Sequence, residues 1–104
     1  MRVLLKIKLP GETSNRLAAK GTLGQTLGDI VEETKPEVVY FGEEDGKRTA
    51  FLVVDIDGMH KIPSVCEPWF LAFNASVSIT PVMTPGDLAK AGPDMEKAAS
   101  KYAS

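Results

Sequence analysis

The chain carries 104 residues with 12 basic and 14 acidic side chains, a net charge of −2, and one cysteine. This length suits a single domain, 1–104, with a modest core. The near-neutral balance, without a basic stripe, argues against nucleic-acid and membrane-surface partners; a lone cysteine permits no internal disulfide; and no run approaches the roughly 20 apolar residues of a membrane helix.

The opening "MRVLLKIKLPGE" is interrupted by Lys6 and Lys8 and has no small-residue cleavage site, so the expected location is cytoplasmic. Over residues 2–9, Val3, Leu5, Ile7 and Leu9 form an apolar face while Arg2, Leu4, Lys6 and Lys8 form a mixed one. That alternation predicts a strand, ended by Pro10-Gly11. The next stretch, up to Pro36, reads as helix in two pieces. Thr22, with Gln25 three residues on, predicts a capping box, and Leu23, Leu27, Ile30 and Val31 supply an apolar stripe. Gly21, Gly24 and Gly28 do not have a dinucleotide or phosphate-loop spacing.

In "PEVVYFGEEDGKRTAFLVVDID" two strand-like runs flank Asp45-Gly46, a strong hairpin signal. A two-residue turn there places Glu44 opposite Lys47, Glu43 opposite Arg48, Phe41 opposite Ala50 and Val39 opposite Leu52. The first two are favourable cross-strand charge pairs. One apolar face then runs through both strands to Val54 and Ile56, and the other carries Val38, Tyr40, Phe51, Val53 and Asp55.

After the loop "DGMHK", the segment "IPSVCEPWFLAFN" predicts a short apolar helix. Because proline suits only a first turn, its regular part is expected to start near Ser64 or Val65 and to stop at Asn74. Residues 75–82 form a fourth strand with Val77, Ile79 and Pro81 on one face, and Pro81 marks an edge position. Thr84 and Pro85 open a C-terminal helix whose stripe is Leu88, Ala91, Met95, Ala98, Ala99 and Tyr102. Gly92-Pro93 interrupts it, leaving open a kink or two short helices.

This order predicts an α+β, ferredoxin-like β-α-β-β-α-β domain, a four-stranded antiparallel sheet with both crossover helices on one face, plus a C-terminal helix. The first and third strands would be central. The other sheet face, with Leu4, Lys6, Lys8, Val38, Tyr40, Phe51, Val53, Asp55, Ser76, Ser78 and Thr80, is too apolar at its centre for a simple solvated surface. Two such faces packed together would bury Leu4, Val38, Phe51 and Val53, so a homodimer is expected.

The element order, together with "EPWFLAFNASVSITPVMTP", resembles the dimeric α/β-barrel superfamily, in particular its small uncharacterised bacterial members and the muconolactone-isomerase-like ones. The resemblance implies ferredoxin-like subunits that pair their sheets into a shared barrel. It does not imply an activity, because that superfamily includes isomerases, cofactor-free oxygenases, haem enzymes and proteins without known activity.

A cavity between paired sheets would be lined by Lys6, Lys8, Tyr40, Phe51, Asp55, Ser78 and Thr80. A desolvated Asp55 could serve as general base there and Tyr40 as donor, while the bland reading makes Lys6, Lys8 and Asp55 rim ion pairs. His60 is the single histidine and falls in a loop, where a solvated side chain is the commoner outcome than a catalytic one. It lacks metal-ligating partners, although one axial ligand would suffice for haem; no metal site and no cofactor are expected. Cys66, in an apolar helix without a neighbouring histidine, reads as a structural thiol. Trp69, Phe70 and Phe73 read first as core. The functional expectation is a homodimer whose inter-sheet cavity takes a small, partly apolar metabolite, with cofactor-free proton transfer such as isomerisation. The alternative is a non-catalytic binding or assembly protein of the same fold.

Overall fold

The computed structural model describes residues 1–104. Alternation makes the first strand: β1 (Arg2–Lys8) turns Val3, Leu5 and Ile7 inward, each without exposed surface, and leaves Leu4, Lys6 and Lys8 half-buried on the other side. Then follow α1 (Gly11–Lys20), α2 (Leu23–Thr34), β2 (Val38–Glu44), β3 (Lys47–Asp55), a short 3-10 turn (Met59–Lys61), α3 (Ile62–Phe73), β4 (Ser76–Pro81), α4 (Pro85–Lys90) and α5 (Gly92–Tyr102).

The four strands form one antiparallel sheet in the order β2-β3-β1-β4. That order is compatible with a ferredoxin-like fold and puts Pro81 on an edge strand, where its missing N–H costs no ladder bond. The hairpin register is the expected one, Glu44 opposite Lys47 and Val39 opposite Leu52. Its turn residues Asp45 and Gly46 have φ of 56° and 76°, the left-handed pair that a two-residue turn between twisted strands requires.

The register is right, but the charge pairing differs from expectation. Arg48 turns away from Glu43 and donates to Ser14 Oγ at 2.9 Å and Asn15 Oδ1 at 2.6 Å, fastening α1 to the sheet. Glu43 instead accepts from the Gly46 backbone N–H at 2.9 Å. A guanidinium has five donors, and two oxygens on the neighbouring helix satisfy it better than one carboxylate reached along an exposed edge.

The core lies between one sheet face and the helices α2 and α3. It joins Leu5, Ile7, Leu52 and Val54 to Ile30 of α2 and to Val65, Cys66, Trp69 and Phe73 of α3. Trp69 and Phe73 are wholly buried, with ring centroids 5.8 Å apart. Each such side chain contributes about 1.5–3 kcal/mol through burial. This explains why α3 starts at Ile62 rather than near Ser64 and carries Pro68 in its interior. The lost backbone bond costs about 3 kcal/mol, less than the burial of four α3 side chains contributes.

Two further local expectations are revised. Thr22 makes no capping bond at the start of α2. It closes α1 instead: Gly21, at φ 77°, and Thr22 both donate backwards, the Thr22 N–H to Leu17 O at 3.0 Å, and this holds Thr22 in helical φ/ψ with its hydroxyl turned from α2. Phe41 lies on the helix side yet is 56% exposed, because α2 leaves a groove of about 250 Å³ between Leu9, Leu23, Leu27, Phe41 and Ala50.

At the C-terminus Thr84 caps α4 as expected. Asp87 N–H donates to Thr84 Oγ1 and Thr84 N–H to Asp87 Oδ2, each at 3.0 Å. The stripe is split into two helices at Ala91, and neither helix contains a buried residue.

Candidate functional site

The sheet face opposite the helices is bare, and the ladder register arranges its side chains in rows. Thr80, Leu4, Val53 and Val38 lie abreast, then Ser78, Lys6, Phe51 and Tyr40, then Ser76, Lys8, Thr49 and Gly42. The middle is apolar: Leu4, Phe51 and Val53 are half-buried, and Val38 is exposed. Gly42 lies diagonally beside Phe51 on this face. A side chain built on it would touch the Phe51 ring at 4.0 Å, so the ring rests diagonally across the bare backbone of β2.

One flank of the face is a charge cluster. Lys6 Nζ donates to Glu44 Oε1 at 3.0 Å, and Lys8 Nζ donates to Asp45 Oδ2 at 2.8 Å while lying 3.2 Å from Glu44 Oε1. Residue parity on β2 puts Glu44 on this face, but sequence reading passed over Glu44 and Asp45 because it assigned Glu44 to Lys47 and Asp45 to the turn. The hydrogen bond from Lys8 holds the Asp45 carboxyl below its ordinary range. Lys6, then Lys8, do the same to Glu44, and bonds to Asp45 and then Glu44 hold the Lys8 ammonium above its ordinary range. Two ammoniums and two carboxylates leave the cluster neutral in sum, so near neutral pH it offers donors and local polarity rather than a proton acceptor.

The sign of the pH effect follows. Carboxylates with lowered native pKa stabilise the fold above the ordinary carboxylate range and lose that contribution as pH falls through their native values; Lys8 contributes until pH rises past its raised value. Titration of the side-chain carboxyl carbons by NMR should find Asp45 and Glu44 below the usual range of about 4. Lys8→Met should return Asp45 upward and flatten the loss of stability below about pH 4; an unmoved Asp45 would sink the assignment.

The other flank is Ser76, Ser78 and Thr80, all exposed and with no side-chain bond to the chain's own charged groups. Asp55 lies at the far end of the sheet opposite Arg2, 53% exposed, and accepts from the Met1 ammonium at 3.0 Å. It borders a shallow polar depression of about 220 Å³ shared with Glu33, Asp57, Lys61 and Ser64. Tyr40 pairs with Phe51, four residues from Asp55 along β3. At the rise of a strand that separation is about 13 Å. Lys6, Lys8, Tyr40, Phe51, Ser78 and Thr80 are therefore brought onto one surface, while Asp55 stands apart from Tyr40 and bonds neither lysine.

His60 is exposed in the 3-10 turn before α3, away from these rows. No group of three or more His, Cys, Asp or Glu is assembled to hold a metal ion, and no helix is long and apolar enough to cross a membrane. Cys66 is buried, and burial, with Glu67 beside it, pushes its thiol above the ordinary range, as befits a structural side chain.

The fold and this face define a small α+β protein with a four-stranded antiparallel sheet, covered by helices on one side and bare on the other. No protein-family model matches the chain, and no curated protein matches it.

Proposed function

We propose that two copies pair their bare sheet faces and enclose a cavity for a small, partly apolar, oxygenated metabolite, in the manner of the dimeric α/β-barrel proteins that the sequence resembles. The observation that carries this reading is the composition of the face: Leu4, Phe51, Val53 and Val38 at its centre, a neutralised ammonium–carboxylate cluster on one flank and a Ser/Thr strip on the other. Apolar side chains gathered on an uncovered sheet favour burial against a partner. The cluster tolerates burial better than a lone charge would, because each ion already has its counter-ion. Hydroxyls of Ser78 and Thr80 suit ligand oxygens as donors and acceptors.

Binding without turnover is favoured over isomerase-type proton transfer. Asp55 and Tyr40 of one copy are too far apart to act on one small substrate, and the Lys6–Glu44 cluster lacks a base poised near neutrality. The test is an NMR screen of small aliphatic and phenolic carboxylic acids against the intact protein. The expected result is amide shifts at Lys6, Phe51 and Ser78, with Ser78→Val and Lys6→Met each weakening a hit about tenfold, a factor equal to about 1.4 kcal/mol. Hits confined to the Leu9–Leu27 groove would overturn the site. A bound compound that is turned over, with turnover abolished by Asp55→Asn and Tyr40→Phe, would overturn the binding-only reading.

A further inference from the structure

We infer that the C-terminal arm, α4 with α5, is an exchanged assembly element that docks on a second copy of this chain. The choice of a second copy as partner rests on the sheet pairing proposed above, which seats that copy beside the root of the arm.

The first observation is shape. The radius of gyration is 17.5 Å and the longest extent is 60 Å, against a radius of about 13 Å for a compact domain of this length. Strands of six to nine residues span no more than about 30 Å, and the 17 residues of α4 and α5 supply about 25 Å more. The arm therefore projects from the body instead of folding back over it.

The second observation is energetic. Isolated helices shorter than about 12–15 residues are marginal in water, and α5 has 11 residues, with none buried. Its apolar side chains nonetheless gather on one stripe, Met95, Ala98, Ala99 and Tyr102; Met95 is 58% and Tyr102 77% exposed. An amphipathic helix held off its own domain needs an apolar surface from elsewhere.

The third observation points to a second copy as that surface. The accessible area is 7058 Å², whereas a compact monomer of 11.2 kDa exposes about 5,700 Å². The surplus, about 1,400 Å² per chain, is ample for the roughly 800 Å² per partner of a standard interface. The arm also leaves the body at the rim of the bare face: Val82 N–H donates to Arg2 O at 3.1 Å, beside the Leu4–Thr80 row, and Thr84 starts α4 two residues on. A copy seated against that face lies next to the arm's root, and two-fold symmetry lets each copy give and receive one arm.

The test uses the full chain. In an equal mixture of isotope-labelled and unlabelled protein, the Met95 methyl is expected to show NOEs to the other copy. Amides of Met95–Ala99 should exchange at least about tenfold slower than in an unstructured peptide. Met95→Asp, which leaves the body's core untouched, should abolish that protection and weaken self-association at least tenfold. NOEs within one chain only, a dimer with unprotected α5, a monomer at tens of micromolar, or protection that requires a different added protein would each overturn the inference. Dimers lost on Phe51→Asp but kept on Met95→Asp would retain the sheet pairing and overturn the arm. The reverse would retain the arm and overturn the sheet pairing.

Discussion

Phe51→Asp is expected to weaken self-association by at least about 100-fold while leaving the subunit folded. The ring lies at the centre of the bare face, half-buried, resting over Gly42 and flanked by Lys6 and Tyr40. In a face-to-face pair it would be fully covered by its counterpart. Replacement removes about 2 kcal/mol of apolar burial and introduces a carboxylate whose desolvation costs more than that again, and 100-fold corresponds to about 2.7 kcal/mol in total. The core is on the opposite face, so the far-UV spectrum should not change. Sedimentation equilibrium of the parent, Phe51→Asp and the control Phe51→Leu reads the effect. An aspartate variant that associates as tightly as the leucine variant would remove the basis of the sheet pairing.

Trp69→Ala is expected to have the largest effect on stability, a loss of about 3–5 kcal/mol, comparable with the whole stability of a marginal small domain. Trp69 is wholly buried, packs on Phe73 and joins α3 to the sheet. Its indole N–H is buried without a hydrogen-bond partner, a penalty of about 1–3 kcal/mol that the surrounding packing already carries. Trp69→Phe removes that unpaired donor and keeps most of the apolar bulk, so its loss should be less than half that of the alanine variant. Urea denaturation followed by circular dichroism at one fixed protein concentration measures both, since association would shift the midpoint. Equal losses for alanine and phenylalanine would show that cavity volume is not what Trp69 supplies.

Residue patterns reached far into the fold. Period-two alternation in β1 and β3, the Asp45-Gly46 turn and Pro81 at an edge were sufficient to place all four strands and the hairpin register, because each signal depends on the backbone geometry of neighbouring residues alone. The Thr84–Asp87 cap was legible for the same reason. Predictions failed where another partner competed with the expected one, a local carbonyl at Thr22 and the tertiary fold at Pro68 and Arg48. Thr22 was drawn into closing α1, Pro68 was accepted inside α3 because Trp69 and Phe73 are anchored in the core, and Arg48 found Ser14 and Asn15 from a helix more than thirty residues earlier.

The candidate face divides in the same way. That Lys6, Lys8, Tyr40, Phe51, Ser78 and Thr80 share one surface follows from strand parity, which a sequence displays directly. Which charges neutralise the lysines, how far Asp55 lies from Tyr40, and that α4 and α5 stand away from the body were decided only in the tertiary structure. Long side chains choose partners by distance across strands and turns, and whether a helix packs or projects depends on where the strand before it ends. Neither quantity is encoded in local spacing.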